Sequence, residues 1–250
     1  MTPKRIEIVK DRLDFITLLS KSKEIFRGDN LLKRHKHTDT HSHPYGHFSA
    51  LRYYLCLTCF DILGQTEEYT DFYSWLNSSS HSKEREVIFK KCENLDFQVY
   101  ISSVYREYNA IYGVSNSFYR FIHQILSSEN QKKLFDSVDI KKQTKVEPKQ
   151  VEYEPTIKKK VDFMYLVRNS FTHKGKPISS IMGGFHFVGF NEDEPSSYDA
   201  NGTAMWSHAQ VYTEHRQDFV YVYSVIKWPS ILIEIIEDTI KNAETEKILE

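Results

Sequence analysis

Residues 47–64 read HFSALRYYLCLTCFDILG, a stretch that is apolar on nearly every side of a helical wheel and that ends in Gly64. A helix at a protein surface carries a polar face, whereas a helix that is apolar all round usually lies in the core. The stretch therefore predicts a central helix with other elements packed around it. Its two cysteines, Cys56 and Cys59, are interpreted as core thiols, because a redox pair needs a helix N-terminus and a zinc ribbon needs a second pair.

Helical patterns lie on both sides of this segment. Residues 6–27 repeat apolar side chains near helical spacing, and residues 71–136 contain several amphipathic helices separated by polar stretches such as NSSSHS. Another helix is predicted from about Ile157 to His173, because glycine and proline follow it closely. The predicted fold class is therefore mainly α, a helical bundle that forms a single elaborated domain over residues 1–250.

Three further segments complete this organisation. Residues 137–156 are charged and contain two prolines, so we predict a charged linker there. The alternating stretches GGFHFVGF and MWSHAQVYTEH, with turn-rich residues between them, predict a β-hairpin within residues 178–216. Residues 218–249 predict a long C-terminal helix that Pro229 kinks or breaks.

The bulk composition is that of a folded protein without a membrane anchor. The chain has 250 residues, of which 40% are hydrophobic and 27% are charged, and no apolar run reaches the ~20 residues that span a bilayer. Charges interrupt the N-terminus where a secretory signal would be apolar, and an odd number of cysteines suits reduced thiols, so we expect a cytoplasmic protein. A net charge of −1 means that any nucleic-acid surface must be local.

The candidate chemistry is concentrated in residues 165–175, YLVRNSFTHKG. On a helical wheel, an apolar stripe is formed by Met164, Val167 and Phe171, with Ile157 aligned two turns earlier. Beside that stripe, an arc of roughly 140° carries the polar side chains of Arg168, Asn169, Thr172 and His173. Cleavage of RNA by its own 2′-hydroxyl needs a base, an acid and a cation for the charge on the phosphorane. Histidine and arginine supply those functions, and Asn169 can orient either group.

This stretch resembles the signature of the HEPN superfamily. The match consists of a Tyr-x-x step, an arginine, a polar residue, three more positions and a histidine near a helix end, here Tyr165, Arg168, Asn169 and His173. The apolar helix at 47–64 also resembles a HEPN core helix. The resemblance implies a metal-independent and cofactor-free endoribonuclease that leaves a 2′,3′-cyclic phosphate and a 5′-hydroxyl. It further implies a homodimer with a composite active site and a role as a toxin or antiviral defence effector.

Other residues receive supporting roles in this interpretation. We expect RNA contacts from Lys174, Tyr165 and Thr172, and the basic run at 158–160 can hold flanking phosphates. Asp61 is a candidate to orient Arg168 or His173, and its alternative role is an ion pair with Arg52 or a neighbour. Some HEPN toxins carry an adenylylated tyrosine where this chain has Gly175, so control by another inhibitory or regulatory protein stays open.

Two other functions remain open from the sequence. The first is a non-catalytic HEPN-like binding or scaffold module, in which Arg168 and His173 hold an interface or a nucleotide. The second is a zinc enzyme, because the loop from His35 to His47 contains five histidines at spacings that can chelate. No metal site is assigned, because no cysteine or carboxylate-rich partner motif accompanies these histidines and the proline and glycine of the loop predict irregular backbone.

Overall fold

The structure is a computed structural model of the chain. It describes residues 1–26, 44–145, 149–174, 184–185, 197–198, 204–205 and 209–248. Within these residues the protein is mainly helical with a small antiparallel sheet, which confirms the mainly α prediction. The described chain contains no helix that is both long and apolar enough to cross a bilayer.

The helices follow the chain in this order: α1 Pro3–Phe26, α2 Pro44–Leu63, α3 Phe72–Asn77, α4 Ser82–Cys92, α5 Phe97–Tyr112, α6 Val114–Arg120, α7 Ser128–Asp136, α8 Ile157–Lys174 and α9 Ser230–Ile248. A 3₁₀ turn at Ser79–His81 precedes α4, and a π-helical turn at Phe121–Ile125 follows α6. The strands are β1 Val138–Thr144, β2 Gln150–Val151, β3 Gly184–Phe185, β4 Ser197–Tyr198, β5 Ala204–Met205, β6 Ala209–His215 and β7 Phe219–Val225.

The chain divides into two compact units, and the sequence analysis did not predict this division. One unit contains Met1–Cys59 and Leu126–Glu250, and the other contains Phe60–Ile125. We call them the sheet unit and the helical unit. Helix α2, which the sequence predicted to be central, contributes residues to both units.

The helical unit is built on a cluster of aromatic side chains. Its core contains Trp75, Ile88, Cys92, Val104, Tyr108 and Tyr112, each at most 4% exposed. The side chains of Asp71 and Asp96 cap α3 and α5 by accepting backbone hydrogen bonds, which satisfies donors that helix ends otherwise leave unpaired. Gly64 ends α2 where a Cβ atom would lie 1.9 Å from the Ser117 carbonyl oxygen, so no larger residue fits there.

Cys56, Cys59 and Cys92 are free and buried, which confirms the core-thiol prediction.

The sheet unit contains a five-stranded antiparallel sheet with the order β2-β1-β7-β6-β3. β1 pairs with β7 along its full length, from Val138↔Val225 to Thr144↔Phe219. The charged linker that we predicted for residues 137–156 is therefore wrong over β1. Val138 and Ile140 are each 1% exposed and face the core, as expected for alternate residues of a strand. The segment contains many charged residues, so its overall composition resembles that of a linker.

The C-terminal prediction also needs a correction. Residues 219–225 form β7, not the first part of a long helix, because FVYVYSV is composed mainly of β-branched and aromatic residues. Helix α9 begins at Ser230, directly after Pro229, whose ring fixes the backbone and removes a hydrogen-bond donor. The predicted pairing between the GGFHFVGF and MWSHAQVYTEH segments is confirmed in β3 and β6, with Gly184↔Thr213 and Phe185↔Tyr212 in register. Residues 216–218 connect a second hairpin, β6–β7, which the sequence analysis did not predict.

Helix α8 packs against this sheet. Phe163 stacks on Tyr223 of β7 with ring centroids 4.9 Å apart and lies 6.4 Å from the Trp228 ring. The Nζ atom of Lys160 donates a hydrogen bond of 2.7 Å to the Phe135 carbonyl at the end of α7. These contacts fix the position of the helix that carries the candidate motif.

Candidate functional site

The candidate motif lies in the last two turns of α8. The helix begins after Thr156, whose Oγ1 accepts a hydrogen bond of 3.2 Å from the Lys159 amide and so caps the first turn. Its apolar face is buried, with Val161, Met164 and Val167 at 0% exposure. The packed stripe predicted from Met164 and Val167 is therefore confirmed. Ile157, which we placed on the same stripe, is 53% exposed because the buried face begins one turn later.

Arg168 and Asn169 are joined by a hydrogen bond. The Arg168 Nη1 atom donates to Asn169 Oδ1 at 3.0 Å, and both side chains are half-buried, as is Tyr165. A guanidinium has five N–H donors in a fixed plane, so the asparagine oxygen restrains its orientation. The predicted catalytic and orienting role of Asn169 stays a prediction.

The backbone of α8 continues through the remaining motif positions. Thr172, His173 and Lys174 lie in the helix, while their side chains and the following Gly175 lie outside the described part of the chain. Positions 169 and 173 are one helical turn apart, which corresponds to a rise of about 6 Å. The predicted catalytic role of His173 and the predicted RNA contacts of Thr172 and Lys174 stay predictions.

The structure does not test the roles of the other sequence candidates. Asp61 is 4% exposed and belongs to the helical unit, whereas α8 belongs to the sheet unit, so its orienting role stays a prediction. Four of the five loop histidines, from His35 to His43, lie outside the described residues, and the side chain of His47 is not described either. In the described part of the chain, no group of three or more His, Cys, Asp or Glu residues could hold a metal ion.

A second feature, which the sequence analysis missed, lies between the first half of α8 and the hairpin β6–β7. It is an open cavity of about 690 Å³, and we call it the tyrosine pocket. Its principal lining residues are Lys159, Tyr212, Glu214, Arg216, Tyr221 and Tyr223. This volume falls within the range of roughly 300–1,000 Å³ that small-molecule sites occupy.

Lys159 extends over the aromatic rings of this pocket. Its Nζ atom lies 3.3 Å from the ring centroid of Tyr221, 5.1 Å from that of Tyr153 and 5.8 Å from that of Tyr223. An ammonium over an aromatic face is attracted by the negative potential of the ring. Burial lowers the pKa of Lys159, because removal from water disfavours the charged form.

Glu214 connects the two strands of the pocket. Its Oε2 accepts a hydrogen bond of 2.6 Å from the Tyr223 hydroxyl, and its Oε1 lies 2.5 Å from an Arg216 nitrogen. Burial, followed by the bond to Glu214, raises the pKa of Tyr223, and burial also raises the pKa of Tyr212. Both tyrosines therefore keep their hydroxyl protons at neutral pH.

The sequence contained a signal for this pocket. Tyr212 and Glu214 are two residues apart in β6, as are Tyr221 and Tyr223 in β7, and side chains two apart share one face of a strand. The helix predicted for residues 218–249 hides this signal, because residues two apart in a helix do not share a face.

Comparisons with protein-family models, with curated proteins and with solved structures found no match to this chain. Inference about its function therefore rests on its own residues and on the resemblance of its motif.

Proposed function

We propose that the protein is a metal-independent endoribonuclease of HEPN type that acts in the cytoplasm as a toxin or antiviral defence effector. The observation that carries this proposal is the Arg168–Asn169 hydrogen bond, which lies on a helix that continues to Lys174 and whose apolar face is buried. The hydrogen bond restrains the guanidinium of Arg168, which lies five residues before the histidine position on the same helix. A cation held in place before the reaction is what stabilises developing negative charge effectively.

In the proposed reaction, the 2′-hydroxyl of the substrate attacks the adjacent phosphorus. A base removes the 2′-proton, the bond from phosphorus to the 5′-oxygen breaks, and an acid protonates that leaving oxygen. The products are a 2′,3′-cyclic phosphate and a 5′-hydroxyl, so no water, metal or cofactor is consumed. We assign the proton transfers to His173 and the stabilisation of the phosphorane to Arg168.

One motif provides one histidine, whereas the reaction uses a base and an acid. We therefore propose that two protomers form a homodimer and that their motifs meet in one composite site. Lys174, Tyr165 and Thr172 contact the RNA in this proposal, and Asp61 orients the arginine or the histidine. An uncontrolled RNase would damage its host, so an inhibitory or regulatory protein is part of the proposal.

The test compares the wild type with His173→Ala on a mixed RNA pool in the presence of EDTA. We expect cleavage by the wild type, unchanged by EDTA, and a loss of at least about a hundredfold in His173→Ala, because general acid–base catalysis contributes on this scale. The matched control is His123→Ala, which removes an exposed histidine of the helical unit and should leave cleavage unchanged.

Two results would contradict the proposal. Cleavage that EDTA abolishes, with His173→Ala still active, favours the zinc enzyme centred on the loop from His35 to His47. A folded wild type that binds RNA or a partner but never cleaves favours the binding or scaffold module.

A further inference from the structure

The tyrosine pocket combines an aromatic surface with a surplus of positive charge. The described lining residues include three cations, Lys158, Lys159 and Arg216, and two carboxylates, Asp162 and Glu214, so their formal net charge is +1. Aromatic rings together with basic side chains are what proteins use to bind single-stranded nucleic acids, with rings for bases and cations for phosphates. The composition of the pocket therefore suits a ligand that is both planar and anionic.

The three consecutive lysines at 158–160 have different environments. Lys158 pairs with Asp162 at 2.7 Å, and Lys160 is bound to the Phe135 carbonyl. Lys159 has aromatic rings around its ammonium, and no hydrogen-bond acceptor for it is found among the described residues. Its remaining N–H donors are consequently suited to an anionic group of a ligand.

The pocket and the histidine position lie on the same stripe of α8. Lys159, Phe163 and Leu166 line the pocket at helical spacing, and position 173 follows Leu166 by two turns, a rise of about 10.5 Å. At about 100° per residue, position 173 is only about 20° from Leu166 around the helix axis. Arg168 is about 160° from Leu166, so a strand that leaves the pocket along α8 meets the histidine position first.

We propose that the tyrosine pocket binds one nucleotide of a single-stranded RNA, with its phosphate on Lys159 and its base against the tyrosine rings, and thereby directs the strand toward position 173. The inference rests on the proposed function for the identity of its ligand. It adds a binding site at a distance from the reacting phosphate and requires the RNA to be unpaired, since the base must be accessible to stack.

The test is a binding titration that does not require cleavage. The probe is a fluorescein-labelled single-stranded RNA of mixed sequence and about ten nucleotides, within the site sizes typical of such proteins. The full-length chain carries His173→Ala in every sample so that the probe stays intact. Anisotropy is measured at several salt concentrations for this protein alone and with Lys159→Gln, Tyr221→Leu or Tyr221→Phe added.

We expect Lys159→Gln to weaken binding about tenfold and to make the salt dependence shallower by about 0.7 in the log–log slope, as for the loss of one phosphate contact on a single strand. Tyr221→Leu should weaken binding by a similar factor, whereas Tyr221→Phe, which keeps the ring, should restore most of it. Lys132→Gln, an exposed lysine of the same unit that does not line the pocket, removes an equal charge and should change neither quantity.

An unchanged affinity and an unchanged salt slope in Lys159→Gln would overturn the proposal that the tyrosine pocket binds RNA. Equal binding of duplex RNA or of an acidic peptide would overturn its selectivity for an unpaired base, and equal competition by AMP would make it a site for free nucleotides. The proposed function can fail separately. If RNA binding depends on Lys159 but the wild type never cleaves RNA, the pocket is supported and the RNase function is rejected. If the wild type cleaves RNA but binding does not depend on Lys159, the RNase function is supported and the pocket is rejected.

Discussion

Lys159 and Lys160 are neighbours in the sequence, yet they are bound in different ways. The ammonium of Lys160 is bound to a backbone carbonyl at the end of α7, whereas that of Lys159 lies over tyrosine rings. The sequence showed only a basic run at the start of α8. Which member of the run can receive a ligand depends on β6 and β7, and no local pattern around residue 159 indicates those distant strands.

The pH dependence of RNA binding tests the state of Lys159. A phosphate binds the charged ammonium form of Lys159 more tightly than the neutral amine. The affinity for RNA should therefore be highest below the pKa of Lys159 and should fall as the pH rises through that pKa. Because burial lowers that pKa, the fall should begin below the value of about 10.4 that is typical of lysine. The groups that face this ammonium are Tyr153, Tyr221, Tyr223, Glu214, Arg216 and Lys142.

Lys159→Arg separates this titration from other ionisations. Arginine stays charged over the same range, so anisotropy titrations from about pH 7 to about pH 10 should show a flat affinity in the variant. Burial raises the pKa values of Tyr153 and Tyr223, which keeps these hydroxyls neutral while the lysine titrates. Parallel pH profiles in the wild type and Lys159→Arg would show that the lysine does not carry the effect.

At the scale of elements, periodicity predicted the helices better than the strands. The buried residues of α1, which include Ile6, Val9, Leu13 and Ile16, and the core of α2 follow from apolar spacing alone. Strand β1 is hard to recognise in the sequence because it has only two buried apolar residues among charged ones. Strand β7 is hard to recognise because a run of aromatic residues suits either a strand or a buried helix. Both segments are strands in the structure because they pair with each other, and each strand satisfies backbone hydrogen-bonding groups of the other.

A buried hydrogen bond joins the start of β1 to the segment between β7 and α9. The Trp228 Nε1 atom donates to Ser137 Oγ at 2.9 Å, and that hydroxyl donates to the Leu134 carbonyl at 2.6 Å. Ser137 is 2% exposed and Trp228 is 1% exposed, so water cannot replace a lost partner.

Ser137→Ala should therefore lower the free energy of unfolding by about 1–3 kcal/mol, because it leaves the buried indole N–H without an acceptor. Urea denaturation followed by circular dichroism measures the change. The control is Ser102→Ala, which truncates an exposed serine within α5 and should cost less than about 0.5 kcal/mol. Equal stability of both variants would show that this hydrogen bond contributes nothing.

At the scale of the whole molecule, composition predicted a folded chain without extended basic surface, but it did not predict the division into two units. Unit boundaries arise from long-range contacts, and α2 contributes to both units without a break in its helical pattern. The candidate site shows the same limit. Sequence spacing placed Arg168 and Asn169 on one helix, whereas their hydrogen bond and the nearby tyrosine pocket are visible only in the folded structure.

The proposed composite site makes cleavage depend on dimerisation. Activity per protomer should fall on dilution in parallel with the dimer fraction measured by light scattering. Adding excess His173→Ala protein to a fixed amount of wild type should inhibit cleavage, because mixed dimers hold one histidine where two are needed. Excess His123→Ala protein should instead add activity. A fully active monomer would contradict the composite site.

The most direct test of the central claim uses a short RNA that the wild type cleaves at a mapped position, together with the same strand carrying a single 2′-deoxy nucleotide on the 5′ side of that bond. We predict a 2′,3′-cyclic phosphate and a 5′-hydroxyl from the unmodified strand and no cleavage at the modified position, because the nucleophile has been removed. Cleavage of the 2′-deoxy strand at the same bond would contradict the account, since the attacking oxygen would then come from water or from the protein.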